Sequence, residues 1–344
     1  MEVYFLVAFI LTLLCIGKSS KWKLAISFIF LLIIGGLRDV SVGTDTQNYA
    51  MLFDSYGSDV SMMYHATEPL FLLIQYIVAS KGGGYEIMLF IIMAIILGTI
   101  HYYAYLVSKS YLYVILSFFL LYFYFYSFNT MRQYIGMGFC LIAFYYLSLQ
   151  KVKRYILFVF IAFFFHATAL VGFLAYFINK IKLNKKKQIL LLSITFIVGL
   201  TPFVQQGMAF ALHFLPDYLY QYILESEKTG AGFPFSRFLL TLYTIALVAL
   251  LKEKSLNVKL LMVGICLLNL FDFQPIIGRI AQYFTIIQIA IIPNIRILIK
   301  RKKNAKALKI ASFIYMFVVW LYLLLNNVIV SVVSFFFGVE SVVN

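Results

Sequence analysis

Apolar runs long enough to cross a bilayer recur along the whole of this chain, and no other feature limits its fold as tightly. About 18 consecutive apolar residues are enough for a helix to cross the hydrocarbon core, and several stretches exceed that. Hydrophobic residues make up 63% of the 344 and charged residues 12%. A soluble domain carries about half apolar and a quarter charged residues, so the surplus belongs in lipid. The pattern predicts an all-α, polytopic transmembrane bundle of about 10–12 membrane segments. One transmembrane domain is expected over 1–344, with outer loops at about 38–86 and 202–236.

The formal charge of +15 is placed by position. Lysines cluster in short loops between apolar runs, as positive-inside bias requires. No contiguous basic face of the kind nucleic acid needs is present, so nucleic acid is not an expected partner. Cys15, Cys140 and Cys266 lie apart inside apolar runs, with neither a disulfide framework nor metal spacing, and read as small packing residues. Val3–Ile16 has no basic lead and no small-residue cleavage site, so it reads as a retained first helix.

Tracing the basic clusters gives a topology. Helices are expected at about Val3–Gly17 and Leu24–Leu37, with Lys18, Lys21 and Lys23 between them on the inside. Arg38 and Asp39 then reach the outer surface. Glu68-Pro69 opens a short apolar run to about residue 80. Pro suits the first turn of a helix, and Glu suits its positive end. That run is too short to span and reads as an interfacial helix. Crossings follow at Ile87–Val107, Tyr111–Phe128 and Tyr134–Leu149. Further ones are expected at Gln188–Thr201, after Arg237, at Leu256–Leu270, Ile276–Ile299 and Ala307–Leu325.

Tyr155–Ile178 breaks the parity. Lysines flank this run at both ends, yet a helix over it is about 36 Å long, enough for one crossing and too short for two. Either the run is a re-entrant hairpin, or 68–80 is a true crossing and one basic cluster lies outside. The polar apex available to a hairpin is His166-Ala167-Thr168. Irregular backbone at depth is tolerated where it lines a wet cavity or is buried in protein, so the hairpin reading implies a cavity around His166.

Seven of the 28 basic residues are arginine. Arg154, Arg296 and Arg301 lie at inner ends, where orientation explains them. Arg38, Arg132, Arg237 and Arg279 fall at outer helix ends, against the trend. A guanidinium there needs a partner or a task, and its planar fork suits phosphate. Local pairing with Asp39 or Glu68 is the plainer account of any one of them. Four together would make a pyrophosphate clamp. His166 is either a hydrogen-bonded packing residue or, at an apex facing those arginines, a proton acceptor. Asp45 and Glu68 are solvated loop acids or general bases for a sugar hydroxyl. His65, His101 and His213 have no metal-ligand spacing, and Gly82-Gly83-Gly84 is a connection rather than a nucleotide loop.

Arg38-Asp39, Val42-Gly43-Thr44-Asp45-Thr46 and Tyr49, then Glu68, resemble the opening markers of the EpsG-like branch of Wzy polymerases. Asn129-x-x-Arg132-Gln133, Phe165-His166-x-x-Ala169-Leu170, and Gly278-Arg279-Ile280 with Tyr283-Phe284 resemble the next three, in family order over about 38–285. These bacterial membrane enzymes polymerise O-antigen and capsular repeat units. The resemblance implies undecaprenyl-pyrophosphate-linked oligosaccharides as donor and acceptor, and a GT-C-like fold with short interfacial helices, one of them at about 47–56. It implies a site facing the periplasm or outside of the bacterial inner membrane, no cofactor and no metal. Arg132 and Arg279, with Arg38, would hold the departing pyrophosphate. His166, Asp45 or Glu68 would orient or deprotonate the attacking hydroxyl. Asp39, Asn129, Gln133 and Tyr283 would support them. A chain-length regulator is a further expected partner. Two other readings stay open: an O-antigen ligase or related lipid-linked-sugar transferase, and a flippase for the same lipids. A flippase would want basic residues along a central passage and internal repeats, and neither is evident.

Overall fold

The structure is a computed structural model and describes residues 2–59, 61, 67–212, 234–251, 255–299 and 304–325. Regular structure among them is helical, apart from one isolated antiparallel bridge between Leu251 and Ile299. The chain divides into two compact units: Met1–Phe173 with Met316–Asn344, and Leu174–Tyr315.

The first unit opens with α1 (Glu2–Leu14) and α2 (Lys21–Gly36), whose N-terminus is capped by Ser20 accepting the Lys23 N–H. Two short helices follow, α3 (Thr46–Tyr56) and α4 (Pro69–Ser80), then α5 (Tyr85–Val107). The expected single crossing over Tyr111–Phe128 is instead two helices, α6 (Tyr111–Leu120) and α7 (Phe123–Asn129), bent by 59°. Tyr122 lies between them with φ 72, a left-handed conformation that no helix can propagate through. α8 (Met131–Ser148) and α9 (Val152–Phe165) then pack along each other, and α5 packs on α2 and α8.

At His166 the backbone turns extended (φ −157, ψ 119), which ends α9. A 3-10 helix follows over Ala167–Phe173. The Tyr155 hydroxyl donates to the Gly172 carbonyl at 2.8 Å. In a straight helix those residues would stand about 25 Å apart, so the chain reverses at His166, as the hairpin reading requires. Gly172 allows the return: a Cβ there would lie 3.0 Å from the Cys140 Sγ.

The second unit contains α10 (Leu174–Lys180), α11 (Lys185–Gly199) and α12 (Phe203–Leu212), the last two bent by 75°. It continues with α13 (Phe235–Leu250), α14 (Leu256–Phe271) and α15 (Pro275–Thr285). The expected crossing Ile276–Ile299 is broken here too, into α15, α16 (Gln288–Ile291) and α17 (Ile295–Leu298). Pro293 lies in the last break, where it has no N–H to give a helix. α18 (Ala305–Leu325) closes the described chain.

By length and composition α5 and α18 can each cross a membrane, and the two bent pairs reach that length together. Phe5, Leu6, Phe9 and Leu13 of α1 are exposed, as are Leu157, Phe160 and Phe164 of α9 and Phe313 and Phe317 of α18. Exposed apolar side chains in this number are a liability in water and ordinary in lipid. The chain is a polytopic helical membrane protein.

Candidate active site

The site grows from the loop after α2. Arg38 is buried, with 3% of its surface exposed. Its Nε donates to the Val42 carbonyl at 3.3 Å, Nη1 to the Gly35 carbonyl, and Nη2 to the Phe128 carbonyl at 3.3 Å. The guanidinium also lies 4.3 Å from the Phe128 ring centroid. Burial pulls its pKa down to about 10, which leaves it charged at neutral pH. Expected among the pyrophosphate ligands, Arg38 instead has its fork spent on backbone carbonyls and staples the loop to the end of α7.

The loop is tied at further points. Asn129 Oδ1 accepts the Thr44 N–H at 2.9 Å, and the Thr46 hydroxyl donates to the Val42 carbonyl at 2.8 Å. Gly43 has φ +102, and a Cβ there would come within 3 Å of Thr46 Oγ1 and Asn129 Oδ1. Asp39 accepts the Ser41 N–H at 2.8 Å, and its bonding to Ser41 holds its carboxyl below the ordinary value. Asp45 caps the start of α3 in sequence position and accepts the Thr44 hydroxyl at 3.1 Å. Asp39, Asp45 and Asn129 thus shape the loop. Gln133 is buried and donates to Met137 Sδ at 3.5 Å.

Held this way, α3, α4, α8 and the His166 turn bring one cluster together. Glu68, the residue before α4, lies at its centre. Its Oε2 accepts Arg132 Nη1 at 2.6 Å. Its Oε1 meets His166 Nδ1 at 2.6 Å and accepts the Ala167 N–H at 3.3 Å. Burial alone would push the Glu68 carboxyl up. The His166 hydrogen bond, the Arg132 charge and the Ala167 N–H outweigh it, and the pKa is lowered. An ionised carboxylate only accepts, so His166 Nδ1 carries the hydrogen. In the neutral ring Nε2 then keeps its lone pair, and it has no partner among the described residues.

Arg132 stands in the first turn of α8 with its guanidinium 5.5 Å from the Tyr49 ring centroid and 5.6 Å from that of Phe71. Its Nε donates to the Tyr49 hydroxyl at 3.4 Å. The side chain is 40% exposed, against 12% for Glu68 and 20% for His166. Nη2 has no partner among the described residues. Behind His166, Phe165 stacks on Phe139 of α8 at 5.6 Å and 12°, which fixes the turn against α8.

The other two arginines part company in the second unit. Arg237 Nη1 donates to the carbonyls of Leu268 and Asn269 at 3.3 and 3.0 Å, 3.9 Å from Asp272, and closes the end of α14. Arg279 is exposed on α15, while Tyr283 of that helix is fully buried. His101 is a packing residue, bonded to Leu97 O at 2.8 Å and to the Ser27 hydroxyl at 3.2 Å. His65, His213, Asp217, Glu225 and Glu227 lie outside the described residues, as does most of the 202–236 loop. Among the described residues no group of three or more His, Cys, Asp or Glu could hold a metal ion.

Sequence reasoning offered Glu68 as a partner for an outer arginine and set His166 facing those arginines, but did not join His166 to Glu68; it quoted Tyr49 only within a family marker and gave Phe71 no part. No curated protein and no solved structure matches the chain. Residues 21–337, nearly its whole length, match the EpsG family.

Proposed function

Because the chain belongs to the EpsG family, a Wzy-like polymerase family, we propose that it lengthens an O-antigen or capsular polysaccharide. It joins undecaprenyl-pyrophosphate-linked oligosaccharide repeat units, at the outer or periplasmic face of the bacterial inner membrane. The growing glycan leaves its lipid pyrophosphate and passes to the nonreducing-end sugar of a new lipid-linked unit. A chain-length regulator is its expected partner.

The observation that carries this reading is the single carboxylate, Glu68, bonded to Arg132 on one oxygen and His166 on the other. One side of the cluster offers an anion site and the other a base. His166 Nε2 takes the proton from the attacking hydroxyl as its oxygen bonds to the anomeric carbon. The bond from that carbon to the pyrophosphate oxygen breaks, and the electron pair leaves with the phosphate. Arg132 faces the departing charge with its open edge, which is electrostatic stabilisation of the leaving group. Glu68 holds the imidazole and offsets the positive charge that it gains. Arg279, exposed on α15 of the second unit, is proposed in its own right to bind pyrophosphate, with Tyr283 anchoring its helix. Asp45, bonded to Thr44, is a loop-shaping residue in this scheme.

The test is a surface-glycan gel from a deletion strain complemented with wild type, Arg132→Ala, His166→Ala or Arg279→Ala. Single repeat units on the surface of the deletion strain, with no ladder restored by the variants, support the polymerase and its site. Absence of any unit at the surface favours transport of the lipid-linked sugar. An unchanged ladder in the Arg132 and His166 variants removes the proposed site.

A further inference from the structure

Tyr49, in the first turn of α3, stands against Arg132 with no part yet in the reaction. A phenol hydroxyl both donates and accepts. The Tyr49 oxygen accepts the Arg132 Nε–H at 3.4 Å, and its own O–H has no acceptor among the described residues. Arg132 Nη2 is in the same condition, on a side chain that is 40% exposed. Two donors without partners among the described residues, one on α3 and one on α8, therefore belong to side chains already bonded to each other. Glu68 occupies Nη1, so it does not compete for them.

We propose that Tyr49 donates a hydrogen bond to the same oxyanion that Arg132 binds, and is a second ligand of the substrate pyrophosphate. This rests on the polymerase reading above. The geometry gives the ring a separate task. With Phe71, whose ring centroid lies 5.9 Å from its own, it forms an aromatic seat beside the guanidinium. The hydroxyl makes its contribution on the anion, and as the bond to the anomeric carbon breaks, charge grows on the oxygen that it contacts. No proton needs to move: the O–H stays on Tyr49 throughout.

Ring and hydroxyl are separable. Tyr49→Phe keeps the aromatic seat and removes the donor, together with the acceptor of the long Arg132 Nε bond, whereas Tyr49→Leu removes ring and hydroxyl alike. Full-length protein in detergent is titrated calorimetrically with inorganic pyrophosphate, and its thermal midpoint is measured beside that of Tyr49→Phe, Tyr49→Leu and Arg132→Gln. Tyr49→Phe is expected to keep the wild-type midpoint and to bind pyrophosphate about tenfold more weakly, the scale of one hydrogen bond to a charged group. Its surface ladder shortens in parallel. If Tyr49→Phe binds like wild type and Tyr49→Leu does not, Tyr49 only packs and the proposal is overturned. If Arg132→Gln also binds like wild type, it is the underlying site that fails.

Discussion

Glu68 has two oxygens and three donors directed at them, and every one comes from a part of the chain far away in sequence. Glutamine is its isostere without the charge. It would offer one acceptor oxygen where the cluster uses two, and its NH2 would point at Arg132 or at the His166 N–H. Glu68→Gln is therefore expected to lower polymerisation by about 100-fold, the usual scale for a misplaced general base, in an assay of lipid-linked chain lengthening. The same residue sets an acid limit. Its pKa is lowered in the fold, so the stabilisation it contributes is fully present above its unfolded value of about 4.3 and is lost as pH falls through the lower folded value. The gap in thermal midpoint between wild type and Glu68→Gln should be constant above about pH 5 and close at lower pH. A gap that persists unchanged in acid would mean that the charge is not what the fold uses.

Elements explain why two arginines of similar sequence setting have different work. Arg38 follows a helix end and finds carbonyls of the α2 end, its own loop and the α7 end, so its fork acts as a staple. Arg132 opens a helix as the one partly exposed residue of its first turn, and its Nη2 has no partner among the described residues, which leaves it free for the proposed ligand. Lysine lacks the fork in both places, yet the outcomes should differ. Arg38→Lys is expected to cost about 1–3 kcal/mol of stability through lost hydrogen bonds, read as a lower midpoint with pyrophosphate affinity preserved in the folded fraction. Arg132→Lys should leave the midpoint in place and cripple pyrophosphate binding and polymerisation. Identical behaviour of the two variants in both measurements would break the assignment. Sequence could not separate them, because the Phe128 carbonyl lies 90 residues from Arg38 and carbonyls leave no mark in residue type. The α4 start was legible, since Glu-Pro before an apolar run has a local cause. So was the His166 turn, where polar residues interrupt an apolar run that is too short to cross twice. The kink at Tyr122 was not: its neighbours are aromatic and aliphatic, and its positive φ belongs to packing. Tyr49 stood among the family markers, but its contact with Arg132, 83 residues away, was not legible.

For the whole molecule, the reversal at His166 fixes an expectation about sidedness that helix lengths alone leave open. The basic residues before Tyr155 and those from Lys180 to Lys187 should lie on one side of the membrane, the inner one. Single cysteines placed at Lys153 and Lys186, in a background with Cys15, Cys140 and Cys266 replaced, should react with an impermeant maleimide only after the membrane is opened. Labelling of either one in intact cells would reverse that part of the topology. The Arg38 staple has a further consequence, for biogenesis. When Arg38 leaves the ribosome, the Phe128 carbonyl it will bind is still 90 residues from being made, and at about 5–20 residues per second that is roughly 5–18 seconds of waiting. His166 comes later still. The nascent chain must therefore carry this guanidinium with only its local carbonyls, Gly35 and Val42, through the insertion of its first helices, and the Glu68 cluster is a late product of assembly, closed only after α9 has emerged and the chain has turned back.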